Sequence, residues 1–157
     1  MIILGIDPGT SRLGYGLIKK GAGGISIVDY GCFRTKTRDT KESKLKQIHI
    51  FISGLIKKYR PEVMVIEKLF FFKNKKTVLD ISEARGVIIS AASLLDIKIT
   101  EYTPLQIKQA VTGQGRAEKR QVQKMVQLIL KLKELPEPDD AADALAAAIC
   151  YSSITKI

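Results

Sequence analysis

Four carboxylates stand at three separated places in the chain where backbone geometry, more than charge, usually decides the residue. Asp7 ends the apolar run Ile2-Ile3-Leu4-Gly5-Ile6, Glu67 ends Val63-Met64-Val65-Ile66, and Asp140 and Asp143 lie three apart in an Ala-rich stretch. Residues at that spacing share one face of a helix. Carboxylates that converge repel one another, so a cluster of this kind calls for a cation. Hard oxygen donors select Mg²⁺ or Mn²⁺ over zinc. Two such ions, about 3.5–4 Å apart, can activate a water and stabilise the leaving oxygen in phosphodiester hydrolysis. Each acid taken alone has a plainer reading. Asp7 also fits a turn in Asp-Pro-Gly, and Asp140 with Asp143 also fits an N-cap followed by a first-turn acid. Asp139 reads as the cap or as a bystander. Three coincidences together favour the metal site.

A second constellation is basic. Lys108, Arg116, Lys119 and Arg120 surround Gly113-Gln114-Gly115. Glycines let backbone amides approach phosphates while Lys and Arg neutralise them, although a plain connection between helices fits the segment equally well. Lys73, Lys75 and Lys76 form a solvated basic loop around Asn74. Phe70-Phe71-Phe72 precedes it, either as a continuation of the preceding strand into the core or, with Phe70 just past Glu67, as a wedge that stacks on bases. Lys and Arg number 26 against 16 acids, a net charge of +10, which favours a polyanionic partner. A basic exterior around an acidic pocket is how a nuclease divides its charges.

These groups must be positioned by a core. At 157 residues the chain reads as one domain, residues 1–157, with 45% hydrophobic and 27% charged residues, ordinary globular values. Residues 2–7, 13–19 and 25–33 read as strands of an antiparallel meander. The spacing of Leu45, Ile48, Ile52, Leu55 and Ile56 predicts a helix over 40–58, stopped by Arg60-Pro61. Residues 63–67 read as a strand covered on both faces. A helix over 78–95 is apolar nearly all round, residues 97–102 form a short strand, and Thr103-Pro104 opens a helix. Val122, Met125, Val126, Ile129 and Leu130 mark another, and Asp139 or Asp140 caps a last one to about Ile154. A meander followed by strand–helix alternation predicts an α/β fold: a five-stranded mixed sheet with helices on both faces.

No run of 18 or more uncharged apolar residues exists, so no membrane span is expected. The N-terminus reads as a strand, not a signal peptide, which places the protein in the cytoplasm. Cys32 and Cys150 read as buried free thiols in apolar surroundings. His49, the lone histidine, reads as structural or solvated.

Five segments in order then resemble the RuvC family of Holliday-junction resolvases, the crossover junction endodeoxyribonucleases. They are residues 3–10, 66–70, 83–87, 113–119 and 140–146, and they run over nearly the whole chain. The resemblance implies an RNase H-like fold and a homodimer. It implies Mg²⁺-dependent nicking of two opposed strands of a four-way DNA junction, leaving 5′-phosphate and 3′-hydroxyl ends, in recombination and repair. Two Mg²⁺ ions are expected, with Mn²⁺ able to substitute. By residue, Asp7, Glu67, Asp140 and Asp143 match the family's catalytic acids, Phe70 the aromatic at the junction centre, and Lys108 and Lys119 the basic residues near the scissile strand. Histidine can replace the acid at the place of Asp140 in such enzymes. A branch-migration motor complex becomes a candidate partner. A two-fold substrate also gives the apolar helix a role, with Gly86, Ser90, Ala91 and Ser93 packing against a second subunit.

Three other readings compete with this one. An RNase H-like nuclease of ribosomal RNA maturation resembles the chain near Asp7, but not at Phe70 or in 113–119. An actin-like ATP-binding lobe shares Asp7-Pro8-Gly9-Thr10 and needs a second lobe that this length does not hold. A non-catalytic junction scaffold would gain nothing from clustered acids facing DNA.

Overall fold

The computed structural model describes residues 1–69 and 75–155, with the backbone alone at 75–77. Strand β1 (Ile2–Asp7) is flanked on one side by β2 (Arg12–Gly21) and on the other by β4 (Val63–Glu67). β3 (Gly24–Arg34) and β5 (Lys98–Tyr102) form the edges, in the order β3-β2-β1-β4-β5. β1, β2 and β3 are antiparallel neighbours, whereas β4 and β5 run parallel to β1. The expected meander and mixed sheet are therefore present. The β2–β3 hairpin turns through Ala22-Gly23, and Gly24 takes φ +108°, a conformation that glycine alone adopts without strain.

Helices cover both faces, which is why the central strands read as unbroken apolar runs. Helices α1 (Lys41–Tyr59) and α2 (Lys75–Ser93) bury Ile48, Ile52, Ala84 and Ile88 against Leu4, Ile6, Met64 and Ile66. On the opposite face α3 (Pro104–Thr112), α4 (Lys119–Ile129) and α5 (Asp139–Ile154) bury Ile107, Val126, Leu145 and Ile149 against Ile3, Ile18, Val63 and Val65. Each of these Leu, Ile, Val and Met side chains contributes roughly 1.5–3 kcal/mol on leaving water.

The termini of the elements differ from the sequence reading in instructive ways. Thr40 is the cap of α1, accepting from the Ser43 amide, and not its first residue. Arg60 in the left-handed region ends the helix before Pro61, as the proline dictates. Thr103 caps α3 in a reciprocal box with Gln106. α2 begins at 75 and ends at 93, earlier than the predicted 78–95, and its inward stripe runs through Ala84, Ile88, Ala91 and Ala92. Ala91 is thus core, not partner-facing. Neither Asp139 nor Asp140 caps α5; Pro138 does, and both acids sit in the first turn. The free amides and dipole of a helix start favour carboxylates there without a capping bond.

Candidate active site

Alternation along the strands aims the first two acids at α5. In β1, Leu4 and Ile6 point into the α1–α2 core while Ile3 points into the other, so Asp7, an even number of residues from Ile3, faces the α5 side. In β4 the same parity puts Glu67 with Val63 and Val65 on that side. Because β1 and β4 are parallel with Ile6 paired to Ile66, Asp7 and Glu67 leave adjacent strand ends together.

The second pair arrives on α5, and glycines decide how closely. Asp7 pairs with Gly14 across the β1–β2 ladder. A Cβ on Gly14 would lie 2.0 Å from the carbonyl oxygen of Asp140, and one on Gly5 would lie 1.9 Å from that of Ala144. The first turns of α5 therefore rest directly on sheet backbone. Side chains there would hold the helix off, and Asp140 and Asp143 with it.

Electrostatics show that the four acids share one environment. Asp7 is pushed up to about 8, first by burial and then by repulsion from Asp143, Glu67 and Asp140. Glu67 is pushed up to about 7 by burial and by Asp143, with Lys108 opposing. Burial also raises Asp143, against the attraction of Lys119. Buried negative charge short of positive partners is an environment that a hard divalent cation relieves. Carboxylate oxygens are the donors that Mg²⁺ and Mn²⁺ take, so the residues fit such an ion. Among the described residues, however, no three acidic, cysteine or histidine side chains are gathered closely enough to hold one as they stand.

The chain's own cations lie among these acids. Lys119 Nζ lies 2.7 Å from Asp139 Oδ2 and 3.2 Å from Asp143 Oδ2. Burial works against its charge, yet the bond to Asp139 and the field of Asp143 raise its pKa, while Lys119 holds Asp139 below the usual carboxylate range. Arg12 Nη2 lies 3.1 Å from Asp139 Oδ1 and also pairs with Asp140 Oδ2. Cys32 Sγ approaches that same oxygen at 3.8 Å. A cleft of about 290 Å³ opens beside these groups, lined by Glu67, Pro104, Lys108, Lys119, Val122 and Asp143. Arg85, paired with Glu101, reaches the Glu67 carbonyl oxygen at 3.5 Å from the other face.

The structure thus assembles Asp7, Glu67, Asp140, Asp143, Lys108 and Lys119 at one end of the sheet. Arg116 and Arg120 are exposed on the loop and first turn flanking Lys119 and do not line the cleft. Phe70, Phe71, Phe72 and Lys73 lie outside the described residues, as do the side chains of Lys75 and Lys76. Two sequence expectations change. Asp139 is no bystander, since it bridges Lys119 and Arg12. Cys32 is half-buried beside Asp140, not in an apolar setting, whereas Cys150 is buried and its thiol pushed up to about 11. Sequence reasoning missed Arg12. Its signal was an arginine on the strand antiparallel to β1, legible only once the Asp7–Gly14 register is known.

Residues 3–151 match the crossover junction endodeoxyribonuclease RuvC family. Among curated relatives, the RuvC of Halothermothrix orenii is 50% identical over 98% of this chain and 93% of its own. That of Moorella thermoacetica is 51% identical over 98% and 92%. Among solved structures, Thermus thermophilus RuvC superposes with a TM-score of 0.90 at 31% identity, covering 98% of this chain and 94% of that one. The same protein in complex with a Holliday junction substrate gives 0.89 at 28% identity, with the same coverage. A 157-residue chain that shares about half its residues with the curated relatives, almost end to end, and the RNase H-like fold of the solved ones belongs to the RuvC family of crossover junction endodeoxyribonucleases.

Proposed function

We propose that this chain is a metal-dependent endonuclease that resolves four-way DNA junctions, nicking two opposed strands to leave 5′-phosphate and 3′-hydroxyl ends. The observation that carries the reading is the convergence of Asp7, Glu67, Asp140 and Asp143 at one end of the sheet. The three other carboxylates repel the buried Asp7, and two of them, Glu67 and Asp143, line a cleft with Lys108 and Lys119. Evolutionary membership supplies the substrate class: a relative of this fold is seen in complex with a Holliday junction substrate.

Asp7, Glu67, Asp140 and Asp143 would hold the metal, read here as two Mg²⁺ ions with Mn²⁺ able to substitute. When bound, the metal supplies an activated water and stabilises the leaving oxygen. The chain's side chains do the rest. Lys119 and Lys108 neutralise the scissile phosphate in the cleft, and Arg116 and Arg120 take the flanking backbone. Glu67, raised to about 7 by burial and by Asp143, gives up its proton when it takes the metal. Phe70 stacks at the open centre of the junction, with Lys73, Lys75 and Lys76 against the arms.

Two opposed nicks call for two copies of the site. We infer a homodimer through the outer face of α2, where Leu79 and, just past the helix end, Leu94 are 64% and 72% exposed and Gly86 and Ser90 lie exposed between them. Leu94→Glu should then give a 17.4 kDa species in sedimentation where the original chain sediments as twice that, and an unchanged mass would sink the interface. A branch-migration motor complex remains the partner class that the family implies, tested by co-sedimentation on junction DNA. Among the described residues no helix is long and apolar enough to cross a membrane.

The decisive assay compares nicking of a four-way junction with nicking of linear duplex, in Mg²⁺ and in EDTA. Junction-selective, Mg²⁺-dependent, paired nicks are expected. Equal cleavage of duplex, or cleavage in EDTA, would refute the proposal. Structured ribosomal RNA precursor belongs in the same assay as a substrate that should not be cut.

A further inference from the structure

Arg12 and Asp139 have no role in the reading above, yet they are wired into its metal site. The guanidinium of Arg12 pairs with the Oδ2 of Asp140 and, through the same Nη2, lies 3.1 Å from Asp139 Oδ1. The other oxygen of Asp139 takes Lys119 at 2.7 Å, and Lys119 continues to Asp143 at 3.2 Å. Three carboxylates and two cations alternate in one unbroken ladder across the start of α5: Asp140, Arg12, Asp139, Lys119, Asp143. Both acids of α5 assigned to the metal thereby already have a cation of the protein beside them.

We propose that Arg12 is a built-in counter-cation that a divalent metal must displace from Asp140, and that Asp139 is the perch that holds Arg12 when it is displaced. The inference rests on Asp140 being a metal ligand. The oxygen that Arg12 engages has one lone pair committed to the guanidinium, and a positive charge left beside it would repel the incoming ion. Asp139 lets Arg12 withdraw by the width of one carboxylate without losing its partner, since the second contact is already made. Metal affinity is then set by competition: the site's acids bind metal less tightly than they would if unpaired. Reciprocity follows, because whatever weakens the Arg12–Asp140 pair strengthens metal binding by the same factor. Arg12 is a positioning residue in this scheme and acts through Asp140.

The test is Mn²⁺ binding to the DNA-free protein, read from the electron paramagnetic resonance signal of the free ion. Arg12→Ala and Arg12→Gln should each tighten Mn²⁺ binding by about fivefold, the upper range of an exposed ion pair. Arg12→Lys, which keeps the charge, should stay within twofold of the original protein. Arg12 is exposed, and circular dichroism should confirm unchanged folding in all three. Asp140→Asn should weaken Mn²⁺ binding and abolish the effect of Arg12→Ala in the double variant. If Asp140→Asn weakens binding while Arg12→Ala and Arg12→Gln leave it unchanged or weaker, the competition is overturned and the metal site stands. If Asp140→Asn leaves Mn²⁺ binding intact, the ligand assignment itself fails.

Discussion

Replacing Asp7 by asparagine should abolish nicking and yet stabilise the metal-free protein. The carboxyl of Asp7 is raised from its ordinary 3.8 to about 8. The native state therefore keeps a proton that the unfolded chain would release. By linkage, stability falls as pH rises from about 4 towards 8, because over that window the folded state binds more protons than the unfolded one. At about 1.36 kcal/mol per pH unit, the full interval amounts to about 6 kcal/mol. Relaxation and water entry in an open cleft return part of that, leaving about 3 kcal/mol at pH 8. Asparagine has nearly the same shape and carries no charge, so Asp7→Asn should be more stable than the original chain by about that amount. For a domain of this size the gain is about 6–12 °C in melting temperature. Urea denaturation in EDTA at pH 4.5, 6 and 8 reads the difference directly. The gap should be small at pH 4.5 and grow with pH, and saturating Mg²⁺ should narrow it by stabilising only the original protein. A variant that is less stable at pH 8, or a gap that does not vary with pH, would falsify the picture of Asp7 as a strained metal-site acid.

Three further outcomes test other parts of the site. Gly14→Ala places a Cβ against the Asp140 carbonyl oxygen, so α5 must shift; about 1–3 kcal/mol of stability and most of the nicking should be lost, whereas Gly21→Ala, with open space around it, should change stability by less than about 0.5 kcal/mol. Equal effects at the two glycines would deny the close seating of α5. Lys119→Met should lower nicking at least about tenfold and raise the pKa of both Asp143 and Asp139 in the metal-free protein, followed by carbon-13 NMR of the carboxyls; a fall in either value contradicts the ion-pair ladder. Metal loading requires Asp7 and Glu67 to release protons, so Mn²⁺ binding should strengthen steeply between pH 6 and 8, and pH-independent binding over that window would exclude both as ligands.

How much of this was legible beforehand differs between strands and helices. β1 and β4 were readable because both faces are covered, which makes them continuous apolar runs bounded by an acid. Thr40, Arg60-Pro61 and Thr103-Pro104 marked helix ends because their side chains or rings act on the neighbouring backbone. The start of α5 misled for the converse reason. An aspartate there fits a cap and a first-turn position equally well, and only the path of Pro138 selects between them. Ala91 on α2 shows the same limit, since a small residue suits a partner helix and its own core alike.

Residue type and one-dimensional spacing by themselves determined the four acids, the basic segment after α3 and the strand–helix order. Those features rest on local chemistry: hydrogen bonding and periodicity act within a few residues. Tertiary structure alone decided that Gly14 brings β2 against Asp140, that Asp139 ties Lys119 to Arg12, and that Arg12 belongs to the site at all. The contacts of Arg12 and Gly14 with the start of α5 join positions more than a hundred residues apart in sequence, such as Arg12 and Asp139. Charge acts through space, over a few ångströms, and the distances that matter exist only once the chain has folded.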